Sequence, residues 1–208
     1  MKAISRGRLE RKRTTLLAAT EVFLDKGYDR TTMDEVAAQA VISKPTVYKY
    51  FSDKEQLFAE IVHATAGELD DLSRLVPEAM SGTMNVEPVL ALLARRFITA
   101  LMRPRILRLH RLVMANAERF PNVGHSWYEQ GFDRVLAALA MSFQGLADRK
   151  ILLIEDPLLA ANHFVGMLLW TPMNKAMFSG DGGSSTEELD RYAVAAVRAF
   201  LAGYGVTS

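Results

Sequence analysis

The residues from Thr31 to Phe58, TTMDEVAAQAVISKPTVYKYFSDKEQLF, constrain this chain more than any other stretch, because they hold three helix starts in fewer than thirty residues. Thr32 with Glu35 has the spacing of a capping box, Ser43 can cap a second helix that carries Pro45 in its first turn, and Ser52 with Glu55 repeats the box for a third. The middle helix predicted between them is two-faced. Val47, Tyr50 and Phe51 can point inward, leaving Lys44, Thr46, Tyr48 and Lys49 outside.

A short helix with an apolar inner face and short polar outer groups is what the DNA major groove accepts. Lys44 and Lys49 bring charge for phosphates or guanine edges, Thr46 and Tyr48 bring hydroxyls, and Pro45 can touch a thymine methyl, with Ser43 at the helix's amino end. Helix starts at Thr31-Thr32 and at Ser52-Asp53-Lys54 offer backbone N–H groups to phosphate, and Lys54 adds a positive charge. Upstream, Lys2, Arg6, Arg8, Arg11, Lys12 and Arg13 face one acid, Glu10, in a basic arm suited to neutralising phosphates. The net charge of +1 therefore conceals +3 over residues 1–55 and −2 over the remainder.

Apolar residues recur at helical spacing throughout and no alternating strand pattern appears, so the fold class is all-α. A first helix is expected over Leu9 to Lys26, with Leu9, Leu16, Ala19, Phe23 and Leu24 on its inner face and Gly27 as its cap. The helix opened at Ser52 should run through Leu69 towards Val76, ended by Pro77 and Ser81-Gly82-Thr83. Further helices are expected at 86–102, 104–118, 123–146 and from Leu158 to Phe178, where Pro172 should kink the last, with a short extra turn between Asp148 and Asp156. A flexible SGDGGSS loop and a final helix capped by Ser185 and Glu188 follow. The division expected is 1–55, a basic arm with a helix-turn-helix, and 56–208, a helical bundle joined through the fourth helix.

Hydrophobic residues at 50% and charged residues at 24% mark a folded chain. The absence of cysteine excludes disulfides, thiolate zinc sites and cysteine nucleophiles, and fits a reducing cytoplasm. No apolar segment follows the basic amino terminus, so no secretory signal is expected, and Pro157 to Met173 is too short and too polar for a membrane span. The four histidines lack metal-ligand spacing and no glycine-rich phosphate loop is present, so no cofactor, no metal and no enzyme activity are expected.

The residues from Thr31 to Ala37, from Ser43 to Phe51 and from Asp53 to Phe58 resemble the DNA-binding domain of TetR-family transcriptional regulators. The resemblance implies a three-helix DNA-binding domain followed by a helical domain that binds a small effector and dimerises through its last two helices. The later segments RLVMANAERFPNVGHSWYEQGFDRVLAAL and DPLLAANHFVGMLLW resemble the AefR-like subgroup. One departure stands out: members of the family usually carry glycine in the turn where this chain has Val41, so either the turn adopts another geometry or it stores strain.

Leu158 to Trp170 is apolar almost all round, which asks for cover on both sides, by a second copy of the chain or by the bundle of a monomer. Bulky residues mid-bundle, Phe97, Leu101, His110, Met114, Phe120, Trp127, Phe132, Phe164, Met167 and Trp170, are candidate walls for an apolar or aromatic effector, although residues of these types are more often core. Six arginines, Arg95, Arg96, Arg103, Arg105, Arg108 and Arg111, lie in an interval without acids, and either hold an anionic effector or pair with the acids before it, Glu68, Asp70, Asp71, Glu78 and Glu87. The reading is a ligand-responsive repressor that binds a near-palindromic operator as a dimer. An effector-independent architectural DNA-binding protein and a helical-bundle carrier or enzyme are the alternatives.

Overall fold

The computed structural model describes residues 2–80, 82, 84–179 and 184–206, with side chains at 2–6 and 68–72 also outside the description. The side chains of Lys2, Arg6, Glu68, Leu69, Asp70 and Asp71 and most of the SGDGGSS loop therefore lie outside the described residues. Ten α-helices follow one another among those described, and no strand, only an isolated bridge between Leu152 and Gly205. The chain divides into two compact units, Met1–Ala66 with Arg108–Trp127, and Gly67–Leu107 with Tyr128–Ser208. A division placed after residue 55 falls inside the first of these.

In the first unit α1 (Lys2–Arg30) extends beyond the span expected at both ends, and its regular turns break at Gly27, where φ is 76°. Only a residue without Cβ takes that conformation without strain, which is why the cap sits there. Leu9 is 65% exposed, so the inner face begins at Thr15 and runs through Ala19, Val22 and Phe23. After α2 (Met33–Gln39) and α3 (Lys44–Tyr50) comes α4 (Lys54–Met80), which continues through Pro77. A proline that near the end removes few helical hydrogen bonds, so it does not stop the helix where expected. Phe23, Tyr28, Phe58 and Phe120 form the aromatic centre of this unit, with Phe120 lying 4.7 Å from Tyr28 and 6.3 Å from Phe58 between ring centroids. Phe120 arrives from the link between α6 (Pro104–Asn116) and α7 (Pro121–Tyr128).

The second unit is built from α5 (Val86–Leu101), α8 (Arg134–Asp148), α9 (Pro157–Ser179) and α10 (Thr186–Tyr204). Its core centres on Phe143, Phe164 and Phe200, all fully buried, with Phe200 4.9 Å from Phe143 and 5.3 Å from Phe164. Ser185 caps α10 by accepting from Glu188 N, as its spacing predicts. The long helix expected at 123–146 is instead α7, a π-helical turn at Glu129–Asp133, and α8 in succession. Between Asp148 and Asp156 the chain makes only the turn that closes α8, with Lys150 N donating to Ala147 O at 2.8 Å, and Leu153 N donates to Tyr204 O at 2.7 Å and ties that link to the end of α10.

Candidate functional site

The helix-turn-helix is fixed by its caps. Thr32 Oγ1 accepts from Glu35 N at 3.3 Å while Glu35 Oε2 accepts from Thr32 N at 3.0 Å, a complete capping box at the start of α2. The Lys26 ammonium, and then Thr32, hold the Glu35 carboxyl below its ordinary pKa. At the other end of α2, Val41 N donates to Ala38 O and Ile42 N to Ala37 O, with Val41 at φ 56°. These two bonds make a Schellman motif with valine in the left-handed position, so the turn keeps the geometry that favours glycine and carries the strain. Val41 is 89% exposed.

The two later starts differ in detail from their spacing. Ser43 makes no side-chain cap; its hydroxyl pairs with the Thr46 hydroxyl at 2.8 Å. At α4 the cap is Asp53, whose Oδ1 accepts from Gln56 N at 2.7 Å, while Gln56 Oε1 accepts from Ser52 N at 2.6 Å. The Gln56 N–H first, and then the Ser52 hydroxyl, lower the Asp53 pKa. Sequence spacing chose Ser52 with Glu55, one residue early, although Asp53 with Gln56 carries an equivalent signal.

Val47 on α3 and Phe51 at its C-cap are fully buried and anchor the helix, while Tyr50 is half-buried. Lys44, Pro45, Tyr48 and Lys49 are exposed and Thr46 is half-buried, so the expected outer face is an outer face. Lys44 Nζ lies 2.7 Å from Asp34 Oδ1, which raises the lysine pKa and pairs α3 with α2. Arg13 is exposed, whereas Lys12 is engaged by Glu60 at 3.0 Å and lies over the Phe51 ring.

Two expected phosphate contacts have other work. Thr31 is buried and its hydroxyl donates to Gly27 O at 2.7 Å, so it fixes the chain reversal after α1 and has no free group to offer. Lys54 Nζ donates to the carbonyls of Tyr28, Thr31 and Asp29 at 2.9, 3.0 and 3.3 Å, and sits 4.5 Å from the centre of the Tyr28 ring. Its three N–H groups are thus spent where α1 ends and its carbonyls lack helical partners. Residues more than twenty positions apart meet here, which no local pattern announces.

The candidate effector residues separate into four places. Phe97, Leu101 and Phe132 line one largely enclosed cavity in the second unit, together with Gly131, Val135 and Leu168. Phe164 is core. His110 and Trp127 belong to the first unit, where Trp127 Nε1 donates to His110 Nδ1 at 3.0 Å, and Phe120 joins its aromatic centre. Burial, and then the Arg111 charge, hold His110 below the ordinary histidine pKa. Met114, Met167 and Trp170 are 59, 39 and 73% exposed rather than mid-bundle, because the apolar side of α9 that carries the last two is uncovered within one chain. Of the arginine interval, Arg95 pairs with Asp190 and Arg108 with Asp25, acids outside the stretch expected, and Arg96 and Arg103 flank Thr99 in a shallow groove. No helix among the described residues is long and apolar enough to cross a membrane, and no cluster of metal-binding side chains occurs among them.

Residues 16–61 match the sequence profile of bacterial regulatory proteins of the tetR family, and residues 88–206 that of the C-terminal domain of AefR-like transcriptional repressors. A crystal structure from Mesorhizobium loti, described as a TetR-family transcriptional regulator, is 49% identical, with 96% of this chain and 98% of that chain covered at a TM-score of 0.90. The flavonoid-responsive regulator FrrA is 25% identical, covering 96 and 99% of the two chains at a TM-score of 0.75. Among curated proteins the transcriptional activator FasR of Mycolicibacterium smegmatis is 40% identical over 74 residues, 36% of this chain and 32% of FasR. The chain thus spans about a third of the length of that curated relative.

Proposed function

The chain belongs to the TetR family of bacterial transcriptional regulators, with the C-terminal domain of the AefR-like repressors, and we propose that it is a ligand-responsive repressor that grips a near-palindromic operator as a homodimer. The observation that carries this reading is α3: Val47 and Phe51 fix it from within by complete burial, and its outer residues are left to solvent. Lys44, Pro45, Thr46, Tyr48 and Lys49 are the proposed reading face, with Ser43, Thr32 and Arg13 towards the backbone. The 1–55 segment then carries DNA recognition, although the packing that holds it extends through Ala66 and 108–127.

Dimerisation through α9 and α10 is supported by what α9 leaves uncovered, with Leu158, Leu159, Met167, Trp170 and Phe178 between 39 and 88% exposed. A second copy covers such a surface about a twofold axis and sets two α3 helices at half-sites about one helical turn or more apart. Response to an apolar or aromatic small molecule is supported by the apolar cavity, and FrrA is a relative named for responding to flavonoids. Repression would end when the effector favours a dimer whose α3 spacing no longer fits.

The test is a titration with the DNA upstream of the protein's own gene at several salt concentrations. Affinity for that DNA should exceed affinity for random DNA by about a thousandfold or more. Tyr48→Ala, at an exposed position, should cost about 1–3 kcal/mol of that specific binding with melting unchanged. Equal affinity for both DNAs would sink the proposal.

A further inference from the structure

We propose that the effector of this reading, on which the inference rests, is an uncharged apolar molecule bound in the cavity beside the π-helical turn, and that the turn is the wall that yields to admit it. Phe97 and Leu101 of α5, Gly131 and Phe132 of the turn, Val135 of α8 and Leu168 of α9 enclose this space. None of these side chains carries a nitrogen or oxygen. A charged ligand would lose its hydration there without a partner, a penalty that an uncharged apolar molecule does not meet. The arginines on and just after α5 do not alter this, since Arg95 faces Asp190 and Arg96 and Arg103 lie in a separate groove.

The cavity holds about 20 Å³ of free space, enough for a single water and far too little for an aromatic molecule. One wall must therefore move. The α5, α8 and α9 walls belong to α-helices and are packed into the core, with Phe97, Leu101, Leu136 and Leu168 buried. The remaining wall is the five-residue π-turn Glu129–Asp133, where one residue more than an α-helix needs is held in a rare, looser hydrogen-bond pattern. Gly131 is buried within it and presents no side chain to the cavity, and Tyr128 stacks on Phe132 with ring centroids 5.8 Å apart. A ligand pressed against Gly131 and Phe132 shifts the surplus residue along the helix. Two positions before the turn the chain is separately pinned, since Trp127 Nε1 donates to His110 Nδ1 of α6. The turn lies within one helical run from Pro121 to Asp148, so a ligand that shifts its surplus residue changes the register of that run.

The probe is phenylnaphthylamine, a neutral apolar fluorophore, measured on the full-length wild-type protein and on two variants. Deletion of Glu129, an exposed residue of the turn, removes the surplus residue and restores a plain α-helix. Wild type should bind the probe and lose affinity for its upstream DNA as the probe is added. The deletion variant should melt no lower than wild type and bind that DNA equally well, with probe affinity down about tenfold or more. Val165→Phe, at a half-buried position of the wall, fills the cavity without touching the turn and should also weaken probe binding, so the test survives if the deletion fails to fold. A folded deletion variant that binds the probe like wild type, or Val165→Phe that does, would overturn the inference, as would wild type that binds DNA and no probe. Wild type that binds the probe and no DNA would leave the cavity site standing and remove the regulator reading instead.

Discussion

Val41 keeps a left-handed backbone, φ 56°, with a β-branched side chain that is 89% exposed, so no buried contact offsets the strain. Val41→Gly should therefore stabilise the protein by about 1 kcal/mol in chemical denaturation, a gain of a few degrees in melting temperature. No gain would mean that the turn is relaxed. Lys54 presents the opposite case, a lysine that sequence assigns to phosphate and geometry assigns to the end of α1. Lys54→Met should cost about 1–2 kcal/mol of stability and leave the salt dependence of DNA binding unchanged, whereas Lys49→Met should leave stability alone and reduce the salt slope by about 1. Salt titrations of both variants separate the two roles. Val41 was legible only as a departure from the glycine that the family resemblance leads one to expect in the turn, with strain and another backbone geometry both open, and the two turn hydrogen bonds at φ 56° decide for strain. Lys54 was not, because its three acceptors lie on another helix and become acceptors only where that helix ends.

At the scale of elements, the cap spacing located the starts of α2, α3 and α4, but only the Thr32 box forms as expected: Ser43 heads α3 without a side-chain cap, and at α4 the cap is Asp53 rather than its neighbour Ser52. The π-turn was hidden for a physical reason: a single surplus residue inside a helix barely disturbs a 3.6-residue apolar period, so 123–146 reads as one continuous helix. The pairing of α6 with α7 by His110 and Trp127 was equally unreadable, since seventeen positions separate them. It carries a pH dependence. Burial, with Arg111, lowers the His110 pKa in the folded protein, so the unfolded chain takes up this proton first as pH falls below about 6.5. The contribution is full above that pH and is lost as pH drops towards the lowered value, because over that interval the unfolded chain is protonated while the buried ring, still accepting from Trp127 Nε1, is not. Melting curves across about pH 7.5 to 5 should show a steeper loss for wild type than for His110→Gln, which keeps an acceptor but does not titrate. Parallel curves would contradict this.

For the molecule as a whole, sequence predicted the all-α class and the two-sided apolar character of α9, and could not say which of its sides a single chain covers. Phe164 and Leu168 went to the core and Trp170 and Met167 to the surface. If that surface joins two copies, Trp170→Glu should give a monomer by light scattering with its helical content intact, and should weaken operator binding about a hundredfold or more, since one half-site then binds alone. A dimer that survives the charge would place the contact elsewhere. The first compact unit also draws on two separated lengths of chain, Met1–Ala66 and Arg108–Trp127, and Phe120 from the later one packs on Tyr28 and Phe58. On the ribosome, the DNA-reading helices therefore emerge long before the aromatic ring that completes their core. At about 5–20 residues per second, translation of the intervening stretch takes seconds, during which the nascent chain holds Tyr28 and Phe58 without that cover.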